Sequence, residues 1–291
     1  MKKYLPHIDL ITLGASAIGI LLRLWLLGIG ENEKGLYPAN HISWILLLIL
    51  SIALAAALFL LAAQAGKGRS YSANFSPSLT GAVGYAVAGC GMILAALGHL
   101  SSSGILLYKI TGFAGLVAAA ALILGGYCRW KGKTPHFLVF ALPCAYFALR
   151  LFCMGHTWGD EPELHRFLLG FFATAACVLA SYQLWAFAVG LGNRSASLLW
   201  SLLATYLCLV AAPGSSDGLF YLTAAVWLFT NLCPKKVAPF RPQFRPESEA
   251  PPAQEPAEAS AEAPAELPQE VDPEIEAIIA ELRLKTDEMK E

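Results

Sequence analysis

Eight stretches of this chain are apolar for long enough to cross a bilayer as helices: 8–29, 42–64, 79–98, 104–126, 136–155, 166–190, 198–213 and 218–233. A helix needs about 20 mostly apolar residues to span the hydrocarbon core. Backbone polar groups exposed to lipid must be satisfied within the segment, so continuous runs of this length read as membrane helices. The last two are the shortest. Composition agrees with this reading. Only 14% of the 291 residues are charged, against about 25% in a soluble domain, which excludes a single soluble globular domain. No basic motif or nucleic-acid module is present, so a nucleic-acid partner is excluded as the leading reading. The first run follows Met1-Lys2-Lys3, but it is too long for a signal peptide and lacks a small-residue cleavage site, so it reads as a retained anchor.

Charge gives the orientation. Basic residues stand before the first run (Lys2, Lys3), after the second (Lys67, Arg69), after the fourth (Arg129, Lys131, Lys133), after the sixth (Arg194) and after the eighth (Lys235, Lys236, Arg241, Arg245). The alternate loops carry Glu31 and Glu33, then Asp160, Glu161 and Glu163, then Asp217. This is the positive-inside pattern, and it predicts eight spans with both termini in the cytoplasm. Trp25, Trp44, Trp130, Trp158 and Trp200 fall near span ends, where an interfacial aromatic belt places them. Seven cysteines, an odd number without a CxxC pair, suggest no disulfide framework and read as packing residues.

The chain also repeats itself. Pro6-His7-Ile8 matches Pro135-His136-Phe137, and Leu22-Arg23-Leu24-Trp25 matches Leu149-Arg150-Leu151-Phe152. Each match is followed by an acidic loop and then by His41 or His165. Gly66-Lys67-Gly68-Arg69-Ser70 pairs with Gly190 to Ser195, and Ser101 to Gly104 pairs with Ser215 to Gly218. The expected fold is an all-α integral membrane protein of two parallel four-helix halves, 1–133 and 134–236, related by an axis along the membrane normal.

Ionisable residues inside spans are functional candidates. Arg23 and Arg150 lie roughly 7 Å from their expected outer ends at 1.5 Å per residue. Lys109 and Arg166 are the other two outer candidates. One reading is an outer pocket between the halves that binds an anionic group through the arginines. The other is structural: the arginines snorkel or pair with Glu31, Glu33, Asp160, Glu161 or Glu163. Asp9 sits at an inner boundary, and no carboxylate lies near the middle of a span, which weakens ion-coupled transport. Tyr182, Gln183, Thr205 and Tyr206 are mid-span polar residues expected to bond between helices. His41, His99, His156 and His165 fall on the outer side without metal-site spacing, so neither a metal nor another cofactor is expected. No nucleophile has a base placed to activate it, so no enzyme activity is expected. Gly81, Gly84, Ala88, Gly91 and Ala95 thin one side of the third span, which marks it for burial between neighbours or, at lower odds, for a homo-oligomer face.

The C-terminal part differs in kind. Residues 237–270 are rich in Pro, Ala and Glu and read as an extended linker. At 271–291, Asp272-Pro273 opens a helix. Ile275, Ile278, Ile279 and Leu282 then form one apolar stripe on a charged helix. Docking of a cytoplasmic protein on that stripe is one expectation; docking on the chain's own basic loops and idle disorder are the others. Residues 1–246 carry 17 basic and 7 acidic residues, whereas 247–291 carry 3 and 14. The near-neutral total therefore joins a basic membrane body to an acidic arm.

Gly30-Glu31-Asn32-Glu33-Lys34-Gly35-Leu36 with Asn40-His41, and the stretch from Ser181-Tyr182-Gln183 to Gly192-Asn193-Arg194, resemble uncharacterised multi-pass membrane proteins of anaerobic Gram-positive bacteria. The resemblance implies a bacterial plasma membrane and brings no activity with it. Two functional expectations remain. One is a membrane scaffold or regulatory protein recruiting a cytoplasmic partner through 271–291. The other is a small-molecule binding or transport protein with an outer basic site.

Overall fold

A computed structural model describes residues 7–29, 41–65, 69–101, 106–158 and 164–232, with the side chains of 29, 73, 157, 158 and 164–167 excepted. Regular structure among these residues is entirely helical: α1 (Ile8–Ile29), α2 (Ile42–Ala62), α3 (Tyr71–Asn74), α4 (Leu79–Ser101), α5 (Leu106–Lys131), α6 (Leu138–Trp158), α7 (Leu164–Ala188), α8 (Arg194–Ala211) and α9 (Gly218–Thr230). Seven of them are long and apolar enough to cross a membrane, and α9 is an apolar helix of 13 residues. Leu21, Leu46, Ile49, Ile52, Phe59, Phe113 and Phe152 all point outward and exposed. Apolar surface on this scale needs lipid rather than water around it.

The structure corrects several expected boundaries. The fourth span runs on to Lys131, because Arg129 is buried at its end rather than lying beyond it. The seventh begins at Arg194, four residues early. There the Asn193 side chain accepts hydrogen bonds from the Ser195 and Ala196 backbone N–H groups and caps the helix, satisfying donors that a helix start leaves open. The eighth stops at Thr230. The four-residue α3 was not anticipated.

Helices α4, α5, α6, α7, α8 and α9 pack consecutively, and α9 returns to α4, so the six close into a ring. The α1–α2 hairpin packs on α8. Inside the ring lies an aromatic core. Trp227 stacks on Phe147 at 6.3 Å, and Tyr85, Phe140, Tyr146, Phe220 and Tyr221 fill in around them. Each good aromatic pair adds about 0.5–1.5 kcal/mol beyond its buried area.

The small residues of α4 do what their spacing forecast: α4 is buried between α5 and α9. A Cβ on Gly84 would overlap Thr230, and one on Gly91 would overlap Thr223. The two glycines and the two threonines share a seven-residue spacing, so α4 and α9 meet backbone to side chain along two turns. The two sequence halves differ in packing among the described residues, since α7 and α8 share a packed face and α2 and α4 do not.

Candidate ligand-binding site

Arg150 lies eight residues before the end of α6, about 12 Å along the helix, and is fully buried. That is too deep for snorkelling to carry its charge to water. Its Nη2 instead meets Asp217 Oδ2 at 2.6 Å. Its Nη1 donates to Tyr146 Oη at 3.3 Å, one turn back on α6, and lies 2.9 Å from His99 Nε2. The guanidinium carbon sits 4.1 Å from the centre of the Phe220 ring. An arginine only donates, so His99 Nε2 accepts and the imidazole carries its proton on Nδ1.

The acid reaches this arginine through a tight turn between α8 and α9. Gly214 adopts φ +72°, where a side chain is strained, and its Cα face packs against Leu27 of α1. Gly218 N–H donates to the Ser215 carbonyl at 3.1 Å, and Asp217 N–H donates to Ser215 Oγ at 3.2 Å. Asp217 occupies the cap position of α9, yet its carboxylate makes no capping hydrogen bond. It is turned to Arg150 instead. The pair is asymmetric: the arginine is 1% exposed and the aspartate 36%.

Beside the pair opens a cavity of about 510 Å³, lined on α4 by Gly91, Leu94, Ala95, Gly98 and His99. Tyr108 of α5, Ser216 and Asp217 of the turn, and Leu219 and Phe220 of α9 complete it. Its origin follows from the α4–α9 contact. Thr223 fills the groove at Gly91, but nothing among the described residues lies within 4 Å of a Cβ built on Gly98. Tyr108 stacks on His99 with ring centres 5.5 Å apart. The cavity is thus lined by an aspartate, a histidine, a tyrosine and a serine among apolar residues and glycines, a mixture that small-molecule pockets share. The arginine charge lies behind, already balanced by Asp217.

Of the expected site residues, Arg150 lies behind the cavity wall, in contact with its lining residues Asp217, His99 and Phe220, and does not line the cavity itself. Arg23 is buried on α1, whose packing neighbours are α2 and α8, and it does not line this cavity. Lys109 is exposed and also does not line it. The Arg166 side chain lies outside the described residues, as do Ile275, Ile278, Ile279 and Leu282. The acid beside Arg150 is Asp217, which was not among the expected partners Glu31, Glu33, Asp160, Glu161 and Glu163; those five lie outside the described residues. Sequence reasoning also missed Tyr146 and Phe220. The signal within reach was that Asp217 is the one acid in the last outer loop. Among the mid-span polar residues, Tyr206 Oη lies 2.9 Å from Ser51 Oγ and joins α8 to α2, while Thr205 bonds back to the Ser201 carbonyl of its own helix. The Cys177 and Cys208 thiols touch at 3.4 Å inside the bundle. No group of three or more potential metal ligands occurs among the described residues.

No family model matches this chain, and neither a curated protein nor a solved structure matches it.

Proposed function

We propose that this chain is a multi-pass protein of a bacterial plasma membrane, with both termini in the cytoplasm, that binds a small polar molecule from the outer side. The observation that carries this reading is the 510 Å³ cavity in front of the Arg150–Asp217 pair. Burying an arginine costs several kcal/mol unless it is fully paired. A device of that cost beside an open polar cavity fits a site better than a packing accident. The acidic residue lining the cavity is Asp217 and Arg150 does not line it, so the ligand class is a molecule that donates hydrogen bonds, an amine or a polyol. An anion would have to displace Asp217 to reach Arg150.

Thermal unfolding of the purified protein with ethanolamine, glycerol and succinate as probes tests this. Ethanolamine or glycerol is expected to raise the midpoint of the wild type and not that of Gly98→Trp, whose side chain enters the cavity where a Cβ meets nothing. Stabilisation by succinate, lost in Arg150→Gln, would replace this reading with an anion site. No shift with any probe would count against a site of this class.

A second reading rests on one sequence observation, the apolar stripe Ile275, Ile278, Ile279 and Leu282 at the end of an acidic, proline-rich arm. It makes the membrane body a platform that recruits a cytoplasmic protein. The two readings are compatible, since they rest on different segments of the chain. Duplication of one four-helix unit accounts for the sequence matches between the halves. Arg23 and Arg150 hold corresponding places in it, and both are buried.

A further inference from the structure

A third buried arginine, besides Arg23 and Arg150, lies at the other end of the bundle. Arg129, in the last turn of α5, is 3% exposed. Its Nε and Nη1 have no hydrogen-bond partner, and no carboxylate among the described residues pairs with it. The loop after α3 wraps around it. The Phe75 ring centre lies 5.0 Å from the guanidinium carbon, Phe75 stacks on Tyr71 at 4.6 Å, and Ser78 N–H donates to the Arg129 carbonyl. Gly81 of α4 leaves the space the side chain needs: a Cβ there would stand 3.0 Å from Arg129 Nε.

The excess donors are those of Arg129 itself. The Tyr71 hydroxyl is buried beside the Arg129 guanidinium and the Tyr85 hydroxyl. Burial pushes its phenol above the ordinary value, and the Arg129 guanidinium opposes that shift. Deeper in the bundle, Asn231 donates to Tyr85 Oη at 2.8 Å. Buried polar groups and above all buried charges are normally paired. What Arg129 Nε and Nη1 lack is an acceptor, and an anion rich in oxygens supplies one. The surrounding end of the bundle carries exposed Arg69, Lys131 and Lys133, which attract such a group.

We propose that Arg129 and Tyr71 form a binding site for a phosphate group, presented by an anionic phospholipid headgroup at the basic end of the bundle or by free phosphate. Basic pockets between membrane helices on this side suit phospholipid headgroups, and guanidinium geometry suits phosphate. The site is separate from the Asp217 cavity and does not depend on it.

The test is native mass spectrometry of the full-length protein from mixed phosphatidylglycerol and phosphatidylcholine micelles, with a parallel arm in inorganic phosphate. The wild type is expected to retain phosphatidylglycerol about five- to tenfold over phosphatidylcholine, and Arg129→Gln is expected to abolish that preference. Competition of the lipid by millimolar inorganic phosphate, or stabilisation by phosphate alone that Arg129→Gln removes, would assign the site to free phosphate. Equal retention of both lipids by the wild type with no response to phosphate, or an unchanged preference in Arg129→Gln, would overturn the proposal. Should Arg129→Gln fail to fold, Tyr71→Phe decides: it keeps the ring stack on Phe75, a weakened preference supports the site, and an unchanged one overturns it.

Discussion

Arg150 and Asp217 meet at 2.6 Å across α6 and the cap of α9, with the arginine sealed and the carboxylate more than a third exposed. That asymmetry predicts unequal costs. Removing the acid leaves a buried, uncompensated charge, which typically costs about 3–5 kcal/mol. Because Asp217 is partly solvated, Asp217→Asn is expected near the lower end, about 3 kcal/mol. Arg150→Met leaves an aspartate that water can solvate and should cost less, about 1–2 kcal/mol. The double variant should resemble Arg150→Met alone. Unfolding in detergent micelles measures all three, and a harmless Asp217→Asn would refute the pairing.

The α4–α9 contact predicts a steric response. Gly91→Ala places a Cβ into Thr223, and Gly84→Ala places one into Thr230. Overpacking of this kind costs about 1–3 kcal/mol. Gly14→Ala is the control, because nothing lies within 4 Å of its Cβ. It should be neutral or stabilising by up to about 1 kcal/mol through helix propensity. Equal unfolding midpoints for Gly91→Ala and Gly14→Ala would contradict the close approach.

The Ser51–Tyr206 hydrogen bond ties the α1–α2 hairpin to the ring through α8. Interhelical bonds in membranes average about 0.6 kcal/mol, so Tyr206→Phe should destabilise by about that amount. Ser51→Ala should do the same, and the double variant should add little. Additive losses in the cycle would show that the two hydroxyls do not bond.

For the acidic arm, deletion of 271–291 should remove at least one cytoplasmic protein from the set that cross-links to the full-length chain, while the unfolding midpoint of the membrane body stays the same. An identical set of partners after deletion would argue against recruitment.

The membrane helices were legible because lipid imposes a single demand, about 20 apolar residues with an internally bonded backbone. The thin side of α4 was legible for a similar reason, since Gly84 and Gly91 are small at a helical period whatever lies opposite. The partner of Arg150 was not legible. Asp217 lies 67 positions away in sequence, and only closure of the ring from α9 to α4 brings its turn over α6. The cavity was equally hidden, because it exists where no neighbour of Gly98 fills the groove, and sequence lists residues rather than gaps. Helix α8 began earlier than expected because its first turn is polar and is held by the Asn193 cap rather than by apolar pattern. The burial of Arg129 was masked by the basic cluster around it, which read as a solvated loop.

The most direct test of the proposed site is the chemistry of a cysteine placed in the cavity. Gly98→Cys, in cells or right-side-out vesicles, would be exposed to membrane-impermeant methanethiosulfonate reagents of either charge, against the unsubstituted chain as background. The account predicts labelling from outside, faster with the cationic reagent than with the anionic one, and loss of that preference when Asp217→Asn is added. No labelling above background, labelling only from the cytoplasmic side, or faster reaction of the anionic reagent would contradict it.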